Sequence, residues 1–251
     1  TLFAGLKTVS VYTVYNAVVT GLASIVSAIH SGSRASMGNL LVTETAETVN
    51  DRFDLLEFIE NAAAVILFTT GTFLILPFVS LYTKGVTDIN YSEPVFGVLL
   101  LIGGGIGCIK GAYSDLYLTA GKFKETQKFA IMEAVINVTV SIALVSWLGL
   151  IGVAIGTVSA MAVRCVCDAA FLSKNVIHRP VKKFVKLVLV DVGISLSSLL
   201  LFKLFFSYQI ESWGKWIISG IVSVASVIST AINGILLGLS ISSSCSPNVS
   251  I

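Results

Sequence analysis

Residues 121–172 constrain this chain more than any other stretch. The apolar runs 130–148 and 151–172 are separated by little more than Gly149. Each approaches the ~20 residues that a helix needs to cross the hydrocarbon core of a bilayer. GKFKETQK precedes the pair and SKNVIHRPVKK follows it, so both flanks are basic and both ends return to one side. The expectation is a tight transmembrane hairpin, with the first flank as a polar loop. Irregular backbone would strand unpaired amides in lipid, and a barrel would need alternating strands of ~10 residues, so helices are the economical assignment.

The same pattern recurs along the chain. Seven apolar spans can be drawn, at 8–30, 61–81, 94–112, 130–148, 151–172, 187–206 and 216–239, which predicts an all-α, polytopic transmembrane helix bundle. Only 12% of the 251 residues are charged and mean hydropathy is +0.92. A soluble domain carries about 25% charged residues, so lipid must solvate much of this surface. The net charge of +2 leaves no nucleic-acid footprint. Cys108, Cys165, Cys167 and Cys245 have no zinc or disulfide spacing, and are expected as small packing residues.

The connectors carry their own signals. The first span is expected to end at Ser31-Gly-Ser-Arg34. Leu41, Phe53, Leu56 and Ile59, with acids between them, then suggest an amphipathic interfacial helix or a solvated connector feeding the second span. Pro77, Tyr82 and Tyr91 bracket a polar turn at a water interface, and Trp213 and Trp216 mark another. Arg34, Arg52, Lys122, Lys124, Lys128, Lys174, Arg179, Lys182, Lys183 and Lys186 fall on one side, against Lys7, Lys84 and Lys215 on the other. The positive-inside rule then puts the basic loops and the C-terminus in the cytoplasm. TLFAGLK looks like the end of a preceding segment, giving the expectation of a fragment, and 241–251 looks like a disordered tail.

Polar residues inside apolar spans are costly, so they are the candidates for function. They are Asn16, Lys110, Glu133, Asn137, Arg164, Asp168, Asp191 and Lys203. Arg164 and Asp168 are four apart and can pair on one helix face, as Glu133 and Asn137 share a face of the hairpin's first arm. Lys203 can snorkel to an interface. Gly103, Gly107 and Gly111, and Gly152, Gly156 and Ala160, repeat every four residues, a spacing that allows close helix packing or marks flexible points in a helix that bends. Enzyme chemistry finds no footing. His30 and His178 sit at loop edges and are expected to be solvated, no serine lies in a G-x-S-x-G turn, and Asp115 is placed in a loop without a second acid.

The stretches KTVSVYTVYNAV, SGSRASMGNLLV, FDLLEFIE, PFVSLYTKGVTDINY, TAGKFKETQKFAIMEAVINVTVSIALVSWLGLIGVAIGT and AMAVRCVCDAAFLSKNVI, taken in order, resemble bacterial polysaccharide flippases. These are the O-antigen and capsule repeat-unit exporters of the multidrug/oligosaccharidyl-lipid/polysaccharide exporter superfamily. The resemblance covers roughly residues 6–186. It implies helices 8–14 of a 14-helix transporter, with 1–186 in the C-terminal bundle, 187–240 as two additional helices, and the N-terminal half of the same transporter as a partner.

It further implies a cationic cavity that receives an undecaprenyl-pyrophosphate-linked oligosaccharide at the bacterial inner membrane, alongside the bilayer and polysaccharide polymerase machinery. Lys110 and Arg164 match recurrent basic positions and would attract phosphate or acidic sugar. Glu133 would shape the cavity or couple to a cation, with Asn137 and Asp168 beside it. No cofactor is implied beyond coupling to Na+ or H+. Alternatives are a lipid II flippase or a cation-coupled drug exporter of the same superfamily, or an inactive half that serves only as a membrane partner.

Overall fold

The computed structural model describes residues 6–87, 89–205 and 210–244, and seven helices account for nearly all of them. They are α1 (Leu6–Thr43), α2 (Ala46–Tyr82), α3 (Pro94–Thr119), α4 (Phe123–Leu148), α5 (Leu150–Asn175), α6 (Lys182–Phe205) and α7 (Trp213–Ser244). All seven are long and apolar enough to span a bilayer. This is the expected all-α bundle. The tail expected from residue 241 begins inside α7, and Cys245 and the residues after it lie outside those described.

The helices outrun several expected spans. α1 has 38 residues and α2 has 37. At 1.5 Å per residue each is about 56 Å long, nearly twice the ~30 Å of a hydrocarbon core. Neither an interfacial helix nor a loose connector lies between them. α1 runs straight through Ser31–Arg34, and after a break at residues 44–45 α2 begins at Ala46, where the side chain of the N-cap Thr45 accepts from the Thr48 amide. The polar stretch stays helical because its apolar residues have a core of their own. Met37, Val49 and Phe53 pack with Tyr113, Leu116, Tyr117 and Phe184 at one end of the bundle, while Ile59 faces outward. α4 likewise begins at Phe123, so only Gly121 and Lys122 of the expected polar loop remain outside a helix.

α3 is the centre. It packs against α1 and α2 on one side and α5 on the other; α4 lies on α5, and α6 and α7 lie on α2. Glycines decide how closely α1 and α2 can come. A Cβ at Gly97 would meet the Tyr15 ring at 2.6 Å, one at Gly104 would meet Phe68 at 2.5 Å and Val19 at 2.7 Å, and one at Gly111 would meet the His30 ring at 3.2 Å. These three are spaced by seven, two helical turns, so they form one stripe. The expected stripe of Gly103, Gly107 and Gly111 is thus divided, since Gly103 and Gly107 meet Val158 and Met161 of α5 at ordinary contact distance. Tyr15 also holds the α2–α3 connection, donating to the Tyr91 carbonyl at 2.9 Å and accepting from the Glu93 amide at 2.9 Å.

The hairpin turns on one residue. Gly149, with φ +55°, ends α4 and starts α5. Beyond it the two backbones touch, for a Cβ at Gly152 would lie 2.6 Å from the Leu144 carbonyl group, and one at Gly156 would lie 2.9 Å from the Ser141 amide nitrogen. The opposite face of α4 is bare: Ile131, Val135, Val138 and Ile142 are exposed, which is where lipid solvates the apolar excess. Trp216, expected in an interfacial belt, donates to the Leu74 carbonyl at 3.1 Å and ties α7 to α2.

The seam gives the first prediction. Gly152→Val forces backbones apart and is expected to cost ~1–3 kcal/mol. It should lower the thermal unfolding midpoint in detergent, whereas Gly21→Ala, where a Cβ meets nothing within 4 Å, should leave the midpoint unchanged or raise it.

Candidate functional site

Polar side chains leave α3 in three directions near one end, and each direction ends in an ionic cluster. Lys110, Ser114 and Tyr117, at i, i+4 and i+7, share the face toward α4 and α5. Lys110 Nζ lies 2.8 Å from Glu133 Oε1, and Arg164 Nη1 lies 2.6 Å from Glu133 Oε2. Arg164 Nε also donates to Asp168 Oδ2 at 3.2 Å. Asp168 is fully buried and accepts from the Ser114 hydroxyl at 2.9 Å and the Tyr117 hydroxyl at 3.3 Å. Two cations and two carboxylates bring the cluster to zero net charge. Lys110, Glu133 and Arg164 keep 16–18% of their side-chain surface exposed, so the cluster has one open edge.

Four of the residues singled out by the sequence therefore meet. Asn137, one turn beyond Glu133, accepts from Ser141 at 3.1 Å on its own helix and stays outside the ionic contacts. Asn16 lines a different feature, a cavity of about 330 Å³ between α1, α3 and α5, whose walls include Tyr12, Thr20, His30, Gly107 and Thr157. None of Lys110, Glu133, Asn137, Arg164 and Asp168 lines that cavity. Asp191 lies in an apolar groove between α2, α3 and α6, and Lys203 is exposed.

The second cluster joins α2, α3 and the α5–α6 connection. Arg179 is buried, with Nη1 2.7 Å from both Asp54 Oδ1 and Glu57 Oε2, and Nη2 2.5 Å from Glu57 Oε1. Its guanidinium lies 5.0 Å over the Phe53 ring, the Tyr113 hydroxyl donates to Glu57, and Lys183 pairs with Asp54. Burial opposes the charge on Arg179, but the hydrogen bonds and charge of Glu57, with Asp54 beyond, raise its pKa above the usual arginine value. The preceding residue, His178, is exposed and at φ +49°.

The third cluster corrects two expectations. His30 is not solvated: Nδ1 is 2.8 Å from Glu60 Oε2 and Nε2 is 2.8 Å from Asp115 Oδ2. Asp115 is helical, and its second acid is Glu60, on another helix. Arg34 Nη2 reaches Asp115 Oδ2 at 2.5 Å. With both ring nitrogens facing carboxylates, an imidazolium satisfies the arrangement and a neutral ring satisfies half of it. Buried Glu60 retains an Oε1 without a hydrogen-bond partner.

Sequence reasoning passed over His30, Glu57, Glu60 and Arg179 because charge near the end of an apolar span is ordinary. The available signal was spacing, since His30 and Arg34 are four apart and Glu57 and Glu60 three apart, each pair on one helix face. Among the described residues, no group of three His, Cys, Asp or Glu is arranged to hold a metal ion. Cys165 is buried in the apolar cluster around Tyr113 and Phe184 and Cys108 packs against the separate cluster around Tyr15 and Phe96, both as free thiols. Comparison of the chain with protein-family models, with curated proteins and with solved structures yields no match.

Breaking a buried pair by removing one partner leaves an uncompensated charge, at a cost of ~3–5 kcal/mol. Arg179→Ala should therefore lower the denaturation midpoint of the purified protein sharply. Lys203→Ala, at an exposed site, should stay within ~0.5 kcal/mol of the parent.

Proposed function

We propose that this chain serves transport, as part of a flippase that carries an anionic, lipid-linked oligosaccharide repeat unit across the bacterial inner membrane. The observation that carries the reading is the α3–α4–α5 cluster. Two cations, Lys110 and Arg164, lie within candidate membrane spans in a bundle of seven apolar helices, with 16–18% of their side chains exposed along one edge. Charge within a span is costly and is commonly kept for a substrate or ion pathway. A soluble anion would not need such a site, whereas a lipid-linked phosphate approaches from the bilayer itself.

The sequence resemblance supplies the substrate class. The fold is compatible with it: the α4–α5 hairpin is a rigid unit along its glycine seam, and such units can rock against a second bundle in alternating access. In this reading the end bearing Arg34, Lys122, Arg179 and Lys183 faces the cytoplasm, and a partner half supplies the opposite wall.

One observation favours a second reading. Each cluster closes to zero charge, as helix-locking networks do, and a chain built only for packing would serve as a membrane partner without moving substrate.

Export separates the two. The gene, expressed in a bacterium lacking its repeat-unit flippase, should restore surface polysaccharide. Lys110→Ala with Arg164→Ala should abolish that rescue while leaving the amount of membrane-inserted protein within about twofold of the parent. Rescue that survives both substitutions would sink the role given to the two cations, and failure of the parent gene to rescue would leave the packing reading in place.

A further inference from the structure

We infer that Glu133 is a built-in counter-anion, filling an oxyanion site made by Lys110 and Arg164 from which a phosphate group displaces it. The inference rests on the transport reading for the source of the phosphate, and on geometry for the site itself. Each oxygen of Glu133 is matched to one cation, Oε1 to Lys110 at 2.8 Å and Oε2 to Arg164 at 2.6 Å. Two cations gripping the two oxygens of one group is how a bidentate oxyanion is held. A phosphate offers pairs of oxygens in the same fork and carries more charge, so it competes for the same donors.

The two carboxylates of the cluster are not equivalent. Asp168 has no exposed surface and accepts from Ser114, Tyr117 and Arg164, so it is anchored. Glu133 has 18% of its side chain exposed, its hydrogen bonds are to the two cations, and it rides on α4, where Thr126 is the buried residue. Rotation of its side chain toward the open edge vacates the site without disturbing the core. Lys110, Arg164 and Asp168 would then carry a net charge of +1. Two cations left so exposed to low dielectric are costly, so Glu133 departs as the phosphate arrives rather than before it. The exchange also cuts the Lys110–Glu133 tie between α3 and the hairpin, while the Gly152 and Gly156 seam keeps α4 on α5.

The test uses the purified chain in phosphatidylcholine nanodiscs, titrated calorimetrically with inorganic pyrophosphate. Glu133→Gln keeps the shape and removes the competing charge, and should bind pyrophosphate about tenfold more tightly or better. Glu133→Asp, too short to reach both cations at once, should fall between Gln and the parent, and serves if the Gln variant does not fold. Adding Lys110→Ala to Glu133→Gln should erase the gain, and Lys203→Ala should bind as the parent does. Unchanged or weaker binding by both Glu133 variants, or a gain that survives Lys110→Ala, overturns the inference.

Discs doped with phosphatidic acid separate the sources of phosphate. Suppression of pyrophosphate binding there assigns the site to a phosphate borne by a membrane lipid, and undiminished binding assigns it to one arriving from water. The export assay keeps the two proposals apart. Export that needs Lys110 and Arg164, with pyrophosphate affinity indifferent to Glu133, sinks this inference and spares the transport reading. Tighter pyrophosphate binding with export indifferent to both cations does the reverse.

Discussion

Charge held at low dielectric must be met at close range by its opposite, and α3 is where this bundle satisfies that demand. Lys110 and Arg164 face Glu133 and Asp168; Arg179 and Lys183 face Asp54 and Glu57; His30 and Arg34 face Glu60 and Asp115. Every cluster joins at least two helices, and the first and third each join three. A slip of one residue along α3 would rotate Lys110 and Asp115 away from their ionic partners, and the Tyr113 hydroxyl away from Glu57, at once. The clusters thus set register in a bundle whose apolar surfaces alone, bathed in lipid, would tolerate sliding.

Close approach makes those pairings possible. The glycine stripe at 97, 104 and 111 admits Tyr15, Val19, Phe68 and His30 against the α3 backbone, which brings the His30 ring within reach of both Glu60 and Asp115. The same device at Gly152 and Gly156 draws α4 onto α5 and delivers Glu133 to Arg164. Small residues and charges act together here: the first determine how near two helices come, and the second determine at what height.

The clusters also differ in how far they are closed. Arg179 and Glu57 are sealed between aromatic rings and helices, a setting suited to holding the α5–α6 connection in place. The Lys110–Glu133–Arg164 edge is open, backed by the sealed Asp168. An open edge on a closed anchor is what a reversible site requires, because the ligand can exchange while the frame stays put.

Much of this was legible in advance. Seven spans, the hairpin at Gly149, and Lys110, Glu133, Arg164 and Asp168 all announce themselves, since a charge inside a long apolar run is expensive and a lone glycine between two such runs leaves room only for a turn. Their convergence was not legible, nor was the role of His30, Glu57, Glu60 and Arg179, which stand where charge is commonplace. The continuity of α1 and α2 beyond the expected spans was equally hidden, because the core that supports Met37, Val49 and Phe53 comes from α3, α5 and α6. Hydropathy is a property of each segment and is written in the chain. Which charge meets which, and which helix lies at the centre, depend on distances between segments that exist only once the helices have packed.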